Sequence, residues 1–329
     1  MKAVVLAAGK GTRLSPLTHY KAKPMVPVAN RPVMEHIIEN LHKNGIRNIF
    51  SNLYYRPADI MGYFGDGSRW DVSIHWIVEE QLTGPAGGVA TFANFLEDEE
   101  MIIVLSGDAL HNIDLQALAD FHKNHNALLS VVMKKVVNPG RYGVGSVDQD
   151  NRIVRFVEKP AVDPASQGLV SCGIYCLSKD LVKRIPQGVV YDFGADLIPA
   201  LAAANEAVFC FETSSYWKDI GTFAELRQAN LDVVAEKTGV SVPGNENRQG
   251  VFIEAGAVID ADVEIVPPVL IGKGSRIGKN VYLIGPLVLE ASVIVEEGAY
   301  ISNSVVLEGT HLLPGTMVID GIMGTFLSL

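Results

Sequence analysis

Close behind the first apolar run stands Gly9-Lys10-Gly11-Thr12-Arg13, and ten residues after Arg13 comes Lys23. Glycines let backbone N–H groups approach phosphate oxygens, and flanking cations neutralise them, so this spacing suits phosphate chemistry. The surrounding charge agrees. Residues 1–34 carry Lys2, Lys10, Arg13, Lys21, Lys23 and Arg31 without one Asp or Glu, in a chain of 329 residues whose net charge is −10. A local positive field in an acidic protein suits a small polyanion, and the overall acidity argues against a nucleic-acid-binding surface. Two common phosphate loops do not fit. The P-loop spacing is absent, and Leu14 stands where the dinucleotide fingerprint needs its third glycine.

The elements that must position these residues follow from periodicity. Short β-rich runs predict strands over 2–7, 46–52, 72–78, 101–106, 127–134, 152–158, 170–177 and 207–211. Helical spacing predicts helices over 32–44, 86–97, 114–125, 193–204 and 222–237, the first opening at Pro32 and stopping before Gly45. Alternation of this kind predicts an α/β fold with a mostly parallel, doubly wound, Rossmann-like sheet, with ligands outside the carboxyl ends of its strands. Asp108 falls at such an end, after Met101-Ile102-Ile103-Val104-Leu105, and Asp219 follows another β-rich segment.

The pattern changes near residue 239. Residues 239–250 lack periodicity and read as a linker between a catalytic domain, 1–238, and a repeat domain, 251–329. In the repeat, Ile253, Ile259, Ile265, Ile271, Ile277, Leu283, Leu289, Val295, Ile301, Leu307, Leu313 and Ile319 place an aliphatic side chain at every sixth position. A hexapeptide period is the mark of a β-helix, and this half resembles the left-handed parallel β-helix of hexapeptide-repeat proteins. The apolar tail ending Phe326-Leu327-Ser328-Leu329 is a candidate cap or subunit contact.

No run of about 18 apolar residues predicts a membrane span, and the N-terminal run is too short for a signal peptide. Three cysteines, Cys172, Cys176 and Cys210, read as reduced thiols of a cytoplasmic protein and are too few for a Cys-only zinc site.

Further segments keep company with the glycine–cation loop in a fixed order. They are Glu80-Gln81-Leu82-Thr83-Gly84-Pro85-Ala86-Gly87-Gly88, Ser106-Gly107-Asp108, Tyr142-Gly143-Val144, Val157-Glu158-Lys159-Pro160 and Trp217-Lys218-Asp219-Ile220-Gly221. Together with residues 1–40 they resemble the sugar-1-phosphate nucleotidyltransferases. Those enzymes join a nucleoside triphosphate to a sugar 1-phosphate and release pyrophosphate. The resemblance spans about residues 1–235, and a hexapeptide tail also occurs in several branches of that family.

The resemblance implies a role for each matching residue. Leu6, Ala7, Ala8, Gly9, Gly11 and Thr12 would line the nucleotide, Arg13 and Lys23 would carry catalysis by neutralising phosphate charge, and Gln81 and Gly87 would read the base. Gly143, Glu158, Lys159 and Ser171 would hold the sugar phosphate, with Pro160 keeping Lys159 extended. Asp108 and Asp219 would hold one Mg²⁺ against phosphate oxygens. Pro85 stands where the family often has Thr and Ser171 where many members have Asn, so the substrate is less fixed than the reaction.

Mannose 1-phosphate with GTP is the expected pair, because a compact domain with a short repeat tail resembles that branch. Glucose 1-phosphate with dTTP, UTP or ATP is the alternative. The small-molecule substrates leave no place for nucleic acid or a membrane, and a homo-oligomer through the β-helix is expected. Two further readings are an acyltransferase, resting on His311 at an inward-type repeat position, and a non-catalytic regulatory homologue. The second would have lost a phosphate cation or a metal carboxylate, and none is missing.

Overall fold

A computed structural model describes residues 1–325 and the backbone of residues 327 and 328. Phe326 and Leu329, and the side chains of Leu327 and Ser328, lie outside the described residues, so the expected role of the apolar tail does too. The chain forms two compact units. One comprises Met1–Lys10, Ile37–Ala109 and Ile113–Trp217; the other comprises Gly11–His36, Leu110–Asn112 and Lys218–Leu329.

The first unit is built on a nine-stranded sheet. Lys2–Leu6 pairs in parallel with Asn48–Leu53 on one side and Met101–Ser106 on the other, and Ser73–Val78 extends the parallel half. The central strands Lys2–Leu6 and Met101–Ser106 are rich in Val, Ile and Leu on both faces, as strands covered on both sides must be, whereas Ser73–Val78 at the edge exposes Ser73, His75 and Val78. The long strand Gln167–Ser178 runs antiparallel to Met101–Ser106, and at Leu169–Val170 it pairs with Leu129–Val137 on one edge and Gly143–Val147 on the other. Its register shifts between Ser171 and Tyr175, a bulge that bends the strand at residues expected to meet the sugar. The core beneath the sheet includes Val4, Val104, Phe92, Leu129 and Phe193, all essentially excluded from solvent.

In the second unit the repeat winds through three sheets of short parallel strands, one of them edged by the antiparallel strand Asn245–Arg248, so the α/β domain is followed by strands of β-helical form. Val251 pairs with Val269 and Val269 with Leu287, each partner eighteen residues on. The next step is one residue shorter: Leu289 pairs with Val306, and Val295 with Leu312. The sixfold reading therefore slips in the last coil. Leu312 and Val318 are 3% and 5% exposed and enter the core, while Leu313 and Ile319 are 64% and 52% exposed. An unbroken aliphatic series concealed the slip because Leu312 and Val318 are aliphatic as well. The same shift turns His311 outward, where it bonds Glu296 Oε1 at 2.8 Å rather than occupying an inward position.

Candidate active site

The first unit contains a cavity of about 360 Å³ at the carboxyl ends of its parallel strands, lined by Leu6, Ala8, Gly9, Asn52, Glu79 and Asp108, among others. The chain turns sharply here because it lacks side chains. Gly107 N–H donates to the Leu6 carbonyl at 2.8 Å, and a Cβ on Gly107 would stand 2.7 Å from that oxygen. Gly9 has open space around it, with no heavy atom within 4 Å of where a Cβ would stand. Asp108 accepts a hydrogen bond from Ser106 Oγ.

A buried polar network fixes the wall of this cavity. Asn52 Oδ1 accepts from Ala7 N–H at 3.2 Å, and Asn52 Nδ2 donates to Glu79 Oε1. Glu79 Oε2 accepts from both the backbone N–H and the hydroxyl of Thr83, at 3.0 and 2.8 Å. The start of the glycine–cation loop and the Thr83–Gly88 segment are thus tied through two side chains that the sequence reading passed over. A signal was present: Asn52 ends a predicted strand, where ligands gather. Gly88 is tightly placed, since its Cβ would lie 2.5 Å from Asn52 Nδ2.

Gln81 is exposed and does not line the cavity. Gly87 is buried and its N–H donates to the Tyr191 carbonyl at 3.1 Å. Ser171 is also buried; its Oγ bonds the Tyr175 hydroxyl at 3.3 Å and accepts from Gly173 N–H at 3.2 Å. Tyr175 lines the cavity and stacks on Phe193 with ring centroids 4.1 Å apart; burial pushes its phenol well above the ordinary range.

Glu158 sits between two glycines. A Cβ on Gly143 would approach Glu158 Oε2 to 2.7 Å, and one on Gly194 to 2.3 Å. Lys159 Nζ lies 3.0 Å from Glu158 Oε1. The expectation that Pro160 keeps Lys159 extended is corrected: Lys159 has φ 46, in the left-handed region. Its N–H donates to the Tyr142 carbonyl at 3.0 Å, and that bond turns the chain.

In the second unit the cations and one carboxylate converge. Gly11 takes φ 66 and its carbonyl accepts from Leu14 N–H and Thr18 Oγ1, both at 3.0 Å. A Cβ on Gly11 would lie 2.9 Å from Lys23 Cβ, so glycine lets the two segments touch. Lys23 is buried, and its Nζ lies 3.6 Å from Asp219 Oδ1. The space at Gly221 is bounded by Asp219 Oδ2, Glu225 Oε2 and Arg13 Nη2, at 3.0, 3.1 and 3.2 Å from where a Cβ would stand. Glu225 also accepts from Gly221 N–H at 3.1 Å and from the Thr222 hydroxyl at 2.9 Å, fixing the Asp219–Gly221 turn, while Thr222 Oγ1 accepts from Glu225 N–H at 3.3 Å and caps the helix Phe223–Val234. Thr12 is exposed.

The same unit ties this loop to the repeat. Lys21 Nζ lies 2.6 Å from Glu308 Oε2, and Asn30 Nδ2 donates to Glu254 Oε2 at 2.6 Å.

Comparison with known proteins decides the family. A model described as Nucleotidyl transferase matches residues 2–236. The chain belongs to the nucleotidyl transferase family. It is an enzyme of that family. One relative of this nucleotidyltransferase, a UTP–glucose-1-phosphate uridylyltransferase of Synechocystis, is 35% identical over 98% of this chain and 87% of its own length. A mannose-1-phosphate guanylyltransferase of Mycobacterium tuberculosis is 31% identical over 88% and 79%. A glucose-1-phosphate adenylyltransferase of Bacillus cereus is 28% identical over 85% and 89%. The fold is shared with the crystal structure of HddC from Yersinia pseudotuberculosis complexed with GMP-PN, at a TM-score of 0.61, 24% identity, and 70% and 97% coverage. Among the described residues no helix is long and apolar enough to cross a membrane, and all three cysteines are free and buried.

Proposed function

We propose that this nucleotidyltransferase joins a nucleoside triphosphate to a sugar 1-phosphate, giving a nucleoside diphosphate sugar and pyrophosphate. The observation that carries the reading is the convergence of Arg13, Lys23 and Asp219 beside Gly11 and Gly221. A buried lysine and an arginine around a glycine turn suit a triphosphate better than any neutral substrate.

In the proposed reaction a sugar-phosphate oxygen attacks the α-phosphorus in line, the P–O bond to the β-phosphate breaks, and pyrophosphate leaves with that electron pair. Phosphoryl chemistry of this kind rests on positioning and charge neutralisation. Backbone N–H groups at Gly9 and Gly11 orient the triphosphate. Arg13 and Lys23 neutralise charge as it moves to the leaving pyrophosphate. Glu158 accepts a sugar hydroxyl between Gly143 and Gly194, and Lys159 holds the sugar phosphate. Glu79 and Asn52 keep the cavity wall in shape for the base.

Mg²⁺ fits the donor set. Asp108 and Asp219 offer hard carboxylate oxygens, and no group of three or more His, Cys, Asp or Glu side chains clusters as a metal cage among the described residues. Mg²⁺ usually takes one or two carboxylates and completes its shell with waters and substrate phosphates. Asp108 and Asp219 would hold it, and once bound it supplies charge neutralisation on phosphate oxygens.

GTP with mannose 1-phosphate remains our first pair and UTP with glucose 1-phosphate our second. A pyrophosphate-release panel crossing four nucleoside triphosphates with several sugar 1-phosphates tests both levels. Release with one pair at least tenfold above the rest fixes the substrate; no release with any pair overturns the reaction. The domain division at 239–250, a cytoplasmic setting for the three thiols and self-association through the β-helix complete the proposal. The outward positions Val266, Tyr282 and Met317 on one β-helix sheet support the last.

A further inference from the structure

Two consecutive left-handed residues, Ala29 at φ 47 and Asn30 at φ 64, close the hairpin between Pro27–Val28 and Arg31–Pro32. A two-residue hairpin turn with both central φ values positive favours Asn and Gly, and Ala29 is neither. Such a turn persists only where its surroundings over-determine it. The holders here are specific. Ala29 N–H donates to Oδ1 of the fully buried Asn230 at 2.8 Å. Asn30 Nδ2 donates to Glu254 Oε2 at 2.6 Å and reaches the Leu289 carbonyl at 3.5 Å. The same Glu254 oxygen accepts Lys273 N–H at 3.1 Å, which fixes the carboxylate to the β-helix backbone.

We propose that Glu254, on the β-helix, is a positioning residue for Lys23, so that the repeat is a working part of the transferase. The proposal rests on reading Lys23 as a cation that holds phosphate.

The connection between hairpin and lysine is stiff. Lys23–Met25 is a single tight turn, Pro24 and Pro27 fix two backbone angles, and Val33 N–H closes back on the Val26 carbonyl at 3.0 Å. A tilt of the hairpin is therefore passed on to Lys23 instead of being absorbed between them. Displacing a catalytic group by about 1 Å can cost on the order of a hundredfold in rate. Lys21 and Glu308 form a second tie at 2.6 Å, but both are exposed enough that the pair adds little by itself. Glu254 is the tie that meets the strained turn directly.

The test compares the full-length chain with Glu254→Ala, by hydrogen exchange and by steady-state kinetics on the pair found active. The expected result is exchange at least about tenfold faster at residues 23–31, with the later β-helix coils and the nine-stranded sheet unchanged. The turnover number falls by about ten- to thirtyfold and the Michaelis constants change by less than about threefold, as for a group acting in the transition state. Glu254→Gln, which keeps an acceptor oxygen, loses less than about threefold. Ala29→Gly placed in the Glu254→Ala chain restores turnover to within about threefold of the parent, because glycine adopts the turn without strain. Unchanged exchange at 23–31 with turnover within about twofold overturns the proposal, as does faster exchange throughout the β-helix, which marks a role in stability alone. Inactivity of the parent chain on every pair overturns the reading of Lys23 instead, and the exchange comparison then judges the Glu254 tie separately.

Discussion

Lys23 Nζ and Asp219 Oδ1 lie 3.6 Å apart, joining the glycine–cation loop to the turn that precedes the helix Phe223–Val234. Lys23 is almost wholly buried there, so its charge is screened less by water than a surface lysine's would be. Lys23→Ala is expected to lower turnover by about 10²–10³-fold, the usual loss when one transition-state charge stabiliser is removed. Single-turnover rates at saturating substrates measure this, and a loss below about fivefold would remove Lys23 from the chemistry.

Asp108→Asn keeps the shape of the side chain and removes its anion. Activity is expected to fall at least about a hundredfold and to recover only in part at high Mg²⁺. Titration of activity against Mg²⁺ checks this, and turnover within about threefold of the parent at saturating Mg²⁺ would exclude Asp108 as a ligand.

Lys159→Ala is expected to raise the Michaelis constant for the sugar phosphate more than that for the nucleotide, because a cation on one substrate's phosphate serves that substrate. Equal changes in both constants would mean that the residue has another role.

Gly11→Ala places a Cβ 2.9 Å from Lys23 Cβ at a backbone φ of 66. The left-handed conformation alone costs an alanine roughly 1–2 kcal/mol. Turnover is expected to fall at least about tenfold while thermal stability drops by a few degrees. Calorimetry and kinetics together measure the two effects; full activity would show that contact with Gly11 does not set the position of Lys23.

Glu290 is buried in the β-helix with its carboxyl pushed up to about 7 by desolvation, despite a bond from Glu308 N–H and the nearby Lys21 charge. Its folded value lies above the unfolded one, so the stability it lends is complete below about 4.5 and lost as pH rises through about 7. Glu290→Gln is therefore expected to be the more stable chain at pH 8, with the gap shrinking towards pH 4.5. Melting temperatures of both chains across that range measure the gap, and a gap independent of pH would show that Glu290 does not titrate this way.

Much of this was legible in the sequence, because periodicity is a direct consequence of burial. The strand at 101–106 and the helix at 114–125 lie within a residue or so of their predicted bounds. The loop glycines were legible because Gly11 and Gly107 stand where a Cβ would strike a neighbour. Asn52 and Glu79 were not, since a polar side chain announces itself only through partners distant in sequence, here 45 and 27 residues away. The slipped coil was hidden for another reason: two adjacent aliphatic residues satisfy a sixfold pattern equally well in either phase. Lys159 went wrong because a preference set by the following proline yielded to a specific backbone bond.

The bond from Asn30 to Glu254 spans 224 residues. During synthesis at about 5–20 residues per second, the hairpin leaves the ribosome roughly 10–45 s before its partner is made. The hairpin that follows the glycine–cation loop thus matures late, and its strained turn must wait as an unfinished segment on a nascent chain. A pause in translation upstream of residue 254 lengthens that wait.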